Sequence, residues 1–537
     1  MNFIAQKFAG FKSPPYLCIK LVFFVRKRLR IKMGQMVTEL GNHLFFIWFQ
    51  LKMPKNNSFL LSHFSFIFIN FVANFFLKNF YSSKIFMADL IKIKQGLNIQ
   101  MVGQAKEEYG RVSQSALIGF NPESFYGITP KPVAKVGDKV KVGSVLFIDK
   151  KNPDLKIVSP VSGELLAINR GERRKILDFV VQNDFKAEQA EIKPINLDGS
   201  AEEVKASLSD AGFLAFFKQR PYDVCIAPTD TPRAIFISAF DKAPLAPNFN
   251  FIMKDEVSNF QAGINAISKI APVYVGVEKG CTWAAQLQNA TVTKFEGDYP
   301  ASNVGVQINK VAPINRGEVV WTIAPQEVAI IGRFVNKGKL DFTKTVAFCG
   351  ENAATPAYYK VVMGSNVSCI AKANVLEGRK LRYIAGNPLS GTQVSADAWL
   401  NPLVSQLTVL PEGDDTHEMF GWIMPGIKKF SLSGSFLSGM LCSCLRNKFK
   451  FSFDARIQGG ERHMIMSGEY DKVFPMDIYP EYLIKAIISG NIEKMEELGI
   501  YEVAPEDFAA AEFVCSSKVE LQKIVRQGLD MLRKEMC

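Results

Sequence analysis

The chain changes character at Met87, and that break decides which part of it has the makings of a folded protein. The first 86 positions hold 12 basic residues against a single acid, Glu39, whereas the remainder sets 52 basic residues against 51 acids. Phe is skewed the same way, with 17 of the 43 before Met87. The formal charge of +12 is therefore a property of one end, and it gives no argument for nucleic-acid binding by the rest. Three readings stand for the first stretch. Phe59 to Leu77 is a 19-residue run without formal charge, flanked by Lys52, Lys55, Lys78 and Lys84, long enough for a membrane anchor. Ser62, His63, Ser65, Asn70 and Asn74 within it oppose burial in lipid. A targeting segment is the second reading, although no small-residue cleavage site follows. The favoured expectation is that residues 1–86 are a non-native-looking extension, AT-rich upstream DNA translated in frame, with Met87 opening the ordinary protein.

The full length of 537 residues allows three or four domains at roughly 150 residues each. Nine scattered Cys in 537 residues fit reduced intracellular thiols rather than a disulfide framework.

A small β domain is expected over 87–185. Ile91-Lys92-Ile93-Lys94 alternates, with Gly96 and Gly103 at turns. Val136 to Leu146 forms one short β arm, with Val140 and Val142 alternating with lysines, and Ser159 to Gly171 forms a second. Two arms joined by a lysine-bearing hairpin, Asp149-Lys150-Lys151-Asn152-Pro153, resemble the barrel-sandwich fold of biotinyl and lipoyl domains. The hairpin lacks the Met-Lys-Met of biotin carriers, and Lys151 stands where lipoyl domains have Ala. A scaffold without attachment is favoured over a carrier modified at Lys150 or Lys151.

Residues 186–345 read as an α/β unit. Ala201 to Phe217 has helical spacing, weakened at Gly212, with Val204, Leu208 and Ala211 on one face. Ala234 to Ala239 and Val273 to Val277 are apolar strands, Phe260 to Ile270 is helical, and Asp241 to Pro247 is a loop. Strands alternating with helices imply a parallel, Rossmann-like sheet. No GxGxxG follows a strand, although a dinucleotide needs Gly there for the backbone to approach pyrophosphate. Gly332 to Gly338 with Lys339 is one residue too long for a P-loop, and Leu340 stands where Ser or Thr should hold magnesium. The sheet is expected without its nucleotide.

Over 346–400, Val346 to Gly350 and the stretch Val361 to Arg382 suggest a small β-grasp-like unit, followed over 401–537 by a mixed and helical C-terminal region. The fold class expected is thus a multidomain α+β and α/β protein. Phe420 to Phe430 gathers three aromatics, a Met and two lysines, which makes Phe420, Trp422, Met424, Pro425, Lys428 and Lys429 candidates for stacking on a flat ring or docking on a partner. A packed junction with solvated lysines explains the same residues. Pro480 to Ser489 and Ile492 to Leu498 read as helices, with Asn491 capping the second and Gly499 ending it. Leu521, Ile524, Val525, Leu529, Leu532 and Met536 mark an amphipathic last helix facing the core.

The sequence is poor in redox and metal motifs. Cys442-Ser443-Cys444 is the only close cysteine pair, no CxxC occurs, and Cys225, Cys281, Cys349, Cys369 and Cys515 are scattered. His417 and His463 have no ligand-spaced companion; Asp414, Asp415 and Glu418 around His417 fit a solvated turn. No Ser-His-Asp or paired-carboxylate arrangement stands out.

Taken in order, Lys94-Gln95-Gly96-Leu97-Asn98, Val136 to Val140, Asp149 to Pro153, Ile168 to Gly171, Phe420 to Phe430, Ser435-Phe436-Leu437, Tyr470 to Asp477 and Phe513-Val514-Cys515 resemble the A-subunit family of the bacterial Na+-translocating NADH:quinone oxidoreductase. The resemblance begins at Met87 and leaves out residues 1–86. It implies a peripheral component on the cytoplasmic face of the bacterial inner membrane, one of six in a complex that passes electrons from NADH to quinone and exports sodium. It further implies that FAD, FMN and iron–sulfur centres belong to other subunits, that the main partner is the membrane-embedded B subunit, and that quinone contact belongs among the family's roles. The family's fold relationship to the NADH-binding subunit of respiratory complex I implies a Rossmann-like domain and a soluble-ligand-binding β-grasp domain. Two alternatives are a C-subunit-like component of a related ferredoxin:NAD+ complex, which would carry iron–sulfur cysteine runs, and the lysine-modified carrier.

Overall fold

The structure is a computed structural model that describes residues 90–376, 378–414, 425–426, 429–432, 436–440 and 449–536. The expectations for residues 1–86 lie outside the described residues.

The first strand departs from expectation. β1 (Leu90–Lys92) does not join the small β domain but runs parallel to Thr291–Glu296 in a large sheet, with Ile91 opposite Phe295. The Ile93 N–H extends that ladder to the Glu296 carbonyl at 2.8 Å, and Ile93 is buried. Alternation in a four-residue run shows which face is apolar but not which strand will cover it.

The next seven strands build two antiparallel sheets: β2 (Leu117–Phe120), β3 (Pro130–Pro132), β4 (Lys139–Val140), β5 (Val145–Asp149), β6 (Lys156–Val158), β7 (Gly163–Arg170) and β8 (Ile176–Asn183). One sheet has the order β2-β8-β7-β4 and the other β3-β5-β6. Between them Phe147 stacks on Phe179 at 4.5 Å, beside fully buried Leu146, Leu165 and Val181. Val140 and Val142 point inward while Lys139 and Lys141 are exposed, as the alternation requires. At the hairpin, the buried Asp149 carboxylate accepts from the backbone N–H of Thr129 (2.8 Å) and of Asn152 (3.2 Å). Asp149 thus staples a turn, and Lys150 and Lys151 beside it are exposed.

In the α/β unit, α1 (Ala201–Asp210) is capped by Ser200, which accepts from the Glu203 N–H. The expected helix to Phe217 stops early, because Gly212 takes φ +75 and a Cβ there would meet Val158 at 2.8 Å; a tight 3-10 turn, Phe213–Phe216, follows. The sheet then grows through β9 (Lys218–Arg220), β10 (Val224–Cys225), β11 (Ala234–Ser238), β12 (Val273–Glu278), β13 (Thr291–Glu296) and β14 (Val320–Thr322). Its order is β1-β13-β12-β11-β14-β9-β10, parallel except for β9, which pairs antiparallel with both β14 and β10. Between β11 and β12 lie α2 (Phe249–Met253) and α3 (Val257–Ile267); α4 (Val304–Val311) precedes β14, and α5 (Pro325–Lys337) follows it.

β11 is buried on both faces. Ala234 and Phe236 pack with Ile308 of α4, whereas Ile235 and Ile237 share the larger core with α3 and α5. Helices α3 and α5 approach very closely, because a Cβ on Gly332 would lie 1.6 Å from the Asn259 carbonyl oxygen and one on Gly263 would lie 2.2 Å from that of Val328. The Gly332–Gly338 stretch is therefore a helix: Gly332 is its contact point and Gly338, at φ +65, its left-handed C-cap.

Five more strands form a separate sheet: β15 (Thr343–Cys349), β16 (Ala357–Val362), β17 (Leu381–Ala385), β18 (Thr392–Val394) and β19 (Gln406–Pro411), in the order β16-β15-β19-β17-β18. β19 occupies the centre although it lies past position 400, where that unit was expected to end. The short α6 (Ser368–Ala371) packs Ile370 beneath the sheet. The C-terminal region is helical, with α7 (Pro480–Ile488), α8 (Ile492–Glu497), α9 (Ala509–Val514) and α10 (Leu521–Met536). Asn491 caps α8 as expected, accepting from the Lys494 N–H at 3.0 Å. Leu521, Val525, Leu529 and Leu532 of α10 are fully buried, whereas Met536 is exposed.

Candidate functional site

In a parallel sheet of this kind a ligand sits outside the carboxyl ends of the strands, at the point where the strand order reverses. Here the chain runs outward from β11 through β12 to β13 and then returns to β14 on the other side of β11, so the reversal lies between β11 and β14. Two helices open on that crevice, the short α2 after β11 and, after β14, α5. Its first residue is Pro325, which has no N–H to offer a phosphate. Gln326 is buried and uses its side-chain amide on the Thr345 carbonyl (2.9 Å) and Ser405 Oγ (3.0 Å). Glu327 is almost fully buried, paired with Lys344 of β15, whose ammonium also donates to the Pro402 carbonyl at 3.2 Å. The helix N-terminus thus carries its own anion and is held against the five-stranded sheet. The N-terminus of α5 is thus occupied by side chains bonded within the protein, although the buried Glu327 Oε2 has no hydrogen-bond partner among the described residues.

One strand over, a polar cleft of about 230 Å3 opens at the carboxyl ends of β11 and β12, lined by Phe240, Asp241, Lys242, Asn248, Asn250 and Glu278 among others. Lys242 pairs with Glu278 across it. Burial pushes the Asp241 carboxyl up, against bonds from the Ala243 N–H (2.9 Å) and Ser302 Oγ (3.2 Å). Trp283 Nε1 donates to Asn250 at 3.0 Å, and Asn248 donates to Glu107 at 2.7 Å. These side chains mostly bind one another, and no nucleophile with an adjacent base is among them.

The densest buried charge lies elsewhere. Arg220 at the end of β9 is 1% exposed and meets Glu506 (2.7 Å), Asp507 (3.3 Å) and Asp223 (3.6 Å). Burial alone would lower the Arg220 pKa, but the three carboxylates outweigh it and hold it above the usual range. For Asp223, burial opposes ionisation and the cations Lys218 and Arg220 overcome it, so its carboxyl stays low. Asp507 is pushed up to about 6 by burial, although Arg220, the Ala504 N–H (2.9 Å) and Asn303 Nδ2 (3.4 Å) all favour its charge. This constellation joins the large sheet to the C-terminal helices. It was invisible in the sequence because Arg220 and Asp507 lie 287 positions apart.

Among the sequence candidates, Phe420, Trp422, Met424 and Lys428 lie outside the described residues. Pro425 is exposed and its carbonyl accepts from the Leu437 N–H at 2.9 Å. Lys429 is half-buried, with its ammonium 5.4 Å from the Phe436 ring centroid. Its neighbour Phe430 joins a cluster with Phe451 (5.3 Å), Phe453 (5.7 Å) and Phe513 (5.8 Å). That part of the segment is a junction with the C-terminal helices.

Among the described residues the metal candidates are not assembled. Cys442, Cys444, His417, Asp415 and Glu418 lie outside the described residues; Asp414 pairs with Lys380 at 2.8 Å. Cys225, Cys281, Cys349 and Cys515 are buried, and His463 is exposed. Burial pushes the Cys225 and Cys349 thiols up to about 12, away from reactive thiolate. Among the described residues no group of three His, Cys, Asp or Glu side chains could hold a metal ion, and no helix is long and apolar enough to cross a membrane.

Comparison with known proteins decides the kinship. Family models match in chain order: the NqrA N-terminal barrel-sandwich hybrid domain over 91–184, the NqrA second alpha/beta domain over 199–340, and the NQRA C-terminal domain over 345–396. The A subunit of the Na(+)-translocating NADH-quinone reductase of Photorhabdus laumondii is 32% identical over 463 residues, covering 83% of this chain and all of that protein. Those of Serratia proteamaculans and Neisseria meningitidis serogroup B are each 33% identical, over 458 and 457 residues, with the same coverage. The chain belongs to the A-subunit family of Na+-translocating NADH-quinone reductases. Among solved structures, an NAD+-reducing [NiFe]-hydrogenase in its air-oxidised state aligns at 13% identity and a TM-score of 0.30, covering 40% of this chain and 47% of its own. The A-subunit relatives are thus matched along their whole length, and the barrel-sandwich, α/β and C-terminal models place this chain's units in the order that the family has.

Proposed function

We propose that this chain serves as the peripheral A subunit of a Na+-translocating NADH-quinone reductase and works as a docking scaffold, binding no flavin or iron–sulfur centre of its own. The reading is supported by the N-terminus of α5 beside the switch point of the large sheet, where Pro325, Gln326 and the Glu327–Lys344 pair are engaged within the protein, in a chain of this family. Electron carriers then belong to the other subunits, and NADH, FAD, FMN, iron–sulfur centres and quinone are properties of the complex.

In the same reading the large sheet is a Rossmann-like unit and the five-stranded sheet a β-grasp unit of the soluble-ligand-binding kind. The chain sits on the cytoplasmic face of the bacterial inner membrane against the membrane-embedded B subunit. The segment with Phe420, Trp422, Met424, Pro425, Lys428 and Lys429 is the candidate contact for that partner or for quinone, supported by the exposure of Pro425 next to the Phe430 cluster. Replacing Trp422 with Ala then lowers co-purification with the complex more than it lowers thermal stability.

Neither alternative gains support. The curated relatives matched here are A subunits of the sodium-translocating enzyme, which does not favour a ferredoxin:NAD+ component. The turn-stapling role of Asp149 explains the hairpin without a cofactor on Lys150 or Lys151. The test is omission: a complex assembled without this chain keeps NADH oxidation with artificial acceptors and loses quinone reduction. Quinone reduction at the full rate without it would contradict the proposal.

A further inference from the structure

The loop joining β3 to β4, with the strand ends that flank it, carries an unusual surface. Lys131, Lys135, Lys139 and Lys141 are all exposed within eleven positions, with Asp138 the one acid among them. The Asp138 carboxylate is already taken by the backbone N–H of Lys135 at 2.8 Å. Among the described residues none of the four ammonium groups has an ion-pair partner; Glu164, which faces Lys139 across the β4–β7 ladder, does not reach it. Other lysines of the same unit are paired, Lys156 with Asp210 and Lys175 with Glu123. Between the free lysines, Val133 is 51% and Val136 58% exposed, although the neighbouring Val140 and Val142 are buried. The loop lies along β7, with the Gly137 N–H donating to the Leu165 carbonyl (2.8 Å) and the Leu165 N–H to the Asp138 carbonyl (3.0 Å), and its outer side is open, since a Cβ on Gly137 would find no atom within 4 Å. The hairpin lysines Lys150 and Lys151 extend the basic surface: the Lys150 N–H donates to the Thr129 carbonyl at 2.8 Å, next to β3.

Lysines without ion-pair partners, interspersed with outward apolar side chains on an open loop face, match a fluid array of phosphate headgroups above an apolar layer. A lysine ammonium is a mobile point charge rather than a fork shaped for one fixed carboxylate. We propose that this loop rests on the surface of an anionic phospholipid bilayer, with the lysines at the headgroups and Val133 and Val136 in the interfacial layer. The inference rests on the reading of the chain as peripheral to a membrane, to which it adds a second, lipid-borne contact.

The test uses the full chain with a photoreactive benzophenone residue placed at Val136, so that the readout is local to the loop. It is mixed with vesicles of phosphatidylcholine alone or with about one-third phosphatidylglycerol. The expected result is lipid adducts on the anionic vesicles, falling when salt is raised to about 0.5 M. The variant K131Q/K135Q/K139Q/K141Q should lose at least about tenfold in yield, since one lysine near an anionic surface is worth about fivefold. Equal labelling of both vesicle types, or an unchanged yield in the variant, overturns the proposal. So does labelling of a polypeptide rather than lipid in host membranes, which would assign the loop to an acidic protein. If adducts fail while the omission experiment behaves as expected, only this inference falls; if adducts form but quinone reduction survives omission, only the scaffold reading falls.

Discussion

Arg220 Nη1 lies 3.3 Å from Asp507 Oδ2, with the arginine side chain 1% exposed and the aspartate side chain wholly buried. Breaking a buried pair from one side leaves the other charge uncompensated, and here Arg220 meets three carboxylates, of which Asp223 also faces Lys218 at 3.9 Å. Arg220→Met is expected to destabilise the protein by about 3–5 kcal/mol, read from denaturant unfolding followed by far-UV circular dichroism. A loss below about 1 kcal/mol would show that water reaches Asp507 and that the cluster does not tie sheet to helices.

The same cluster gives a pH dependence. Folded Asp507 keeps its proton until about pH 6, whereas an unfolded aspartate loses it near 3.8. Between those values the folded state binds more protons, so this group's contribution is full at the acid end and is lost as pH rises through about 6. Asp507→Asn removes the titration, and its stability relative to the parent should therefore shift upward between about pH 4 and 6. Parallel stability profiles for the two proteins across that window would contradict the assignment.

Glu327 and Lys344 provide a sharper test at the N-terminus of α5. Lys344→Met alone strands a buried carboxylate and should cost about 3–5 kcal/mol, whereas the double change Lys344→Met with Glu327→Leu should recover most of it. A double-mutant cycle on denaturant midpoints measures the coupling. Additive losses would mean that the two side chains act independently.

Gly332 sets the spacing of α3 and α5. With a Cβ 1.6 Å from the Asn259 carbonyl oxygen, Gly332→Ala must push the helices apart and is expected to cost about 1–3 kcal/mol despite alanine's better helix propensity. The C-cap of α5 differs, because Gly338→Ala meets no neighbour and costs about 1 kcal/mol from its left-handed backbone alone. Thermal melts of the two variants should rank in that order.

What the sequence made legible was local. Asn491, Pro480 and the spacing of Leu521, Val525, Leu529 and Leu532 specify their helices through contacts within a few residues, and those helices are present. Gly212 was visible as a weakness, but only the nearby Val158 side chain explains why the chain turns there. The pairing of β1 with β13, the place of β19 in the five-stranded sheet, and the Arg220–Asp507 and Glu327–Lys344 contacts join residues distant in sequence and leave no spacing to read. Of the candidate contact segment, Pro425 and Lys429 are placed, beside a Phe430 cluster whose other members come from residues 451–513. Family kinship was legible because it rests on ordered short motifs rather than on any one pairing.

Whether this chain carries electrons or only shape is tested most directly by flavin and iron analysis of the full chain, purified from its own host and separated from the other subunits. The expected result is less than about a tenth of an equivalent of either, with an absorption spectrum of aromatic residues alone. A stoichiometric flavin or iron–sulfur chromophore would contradict it.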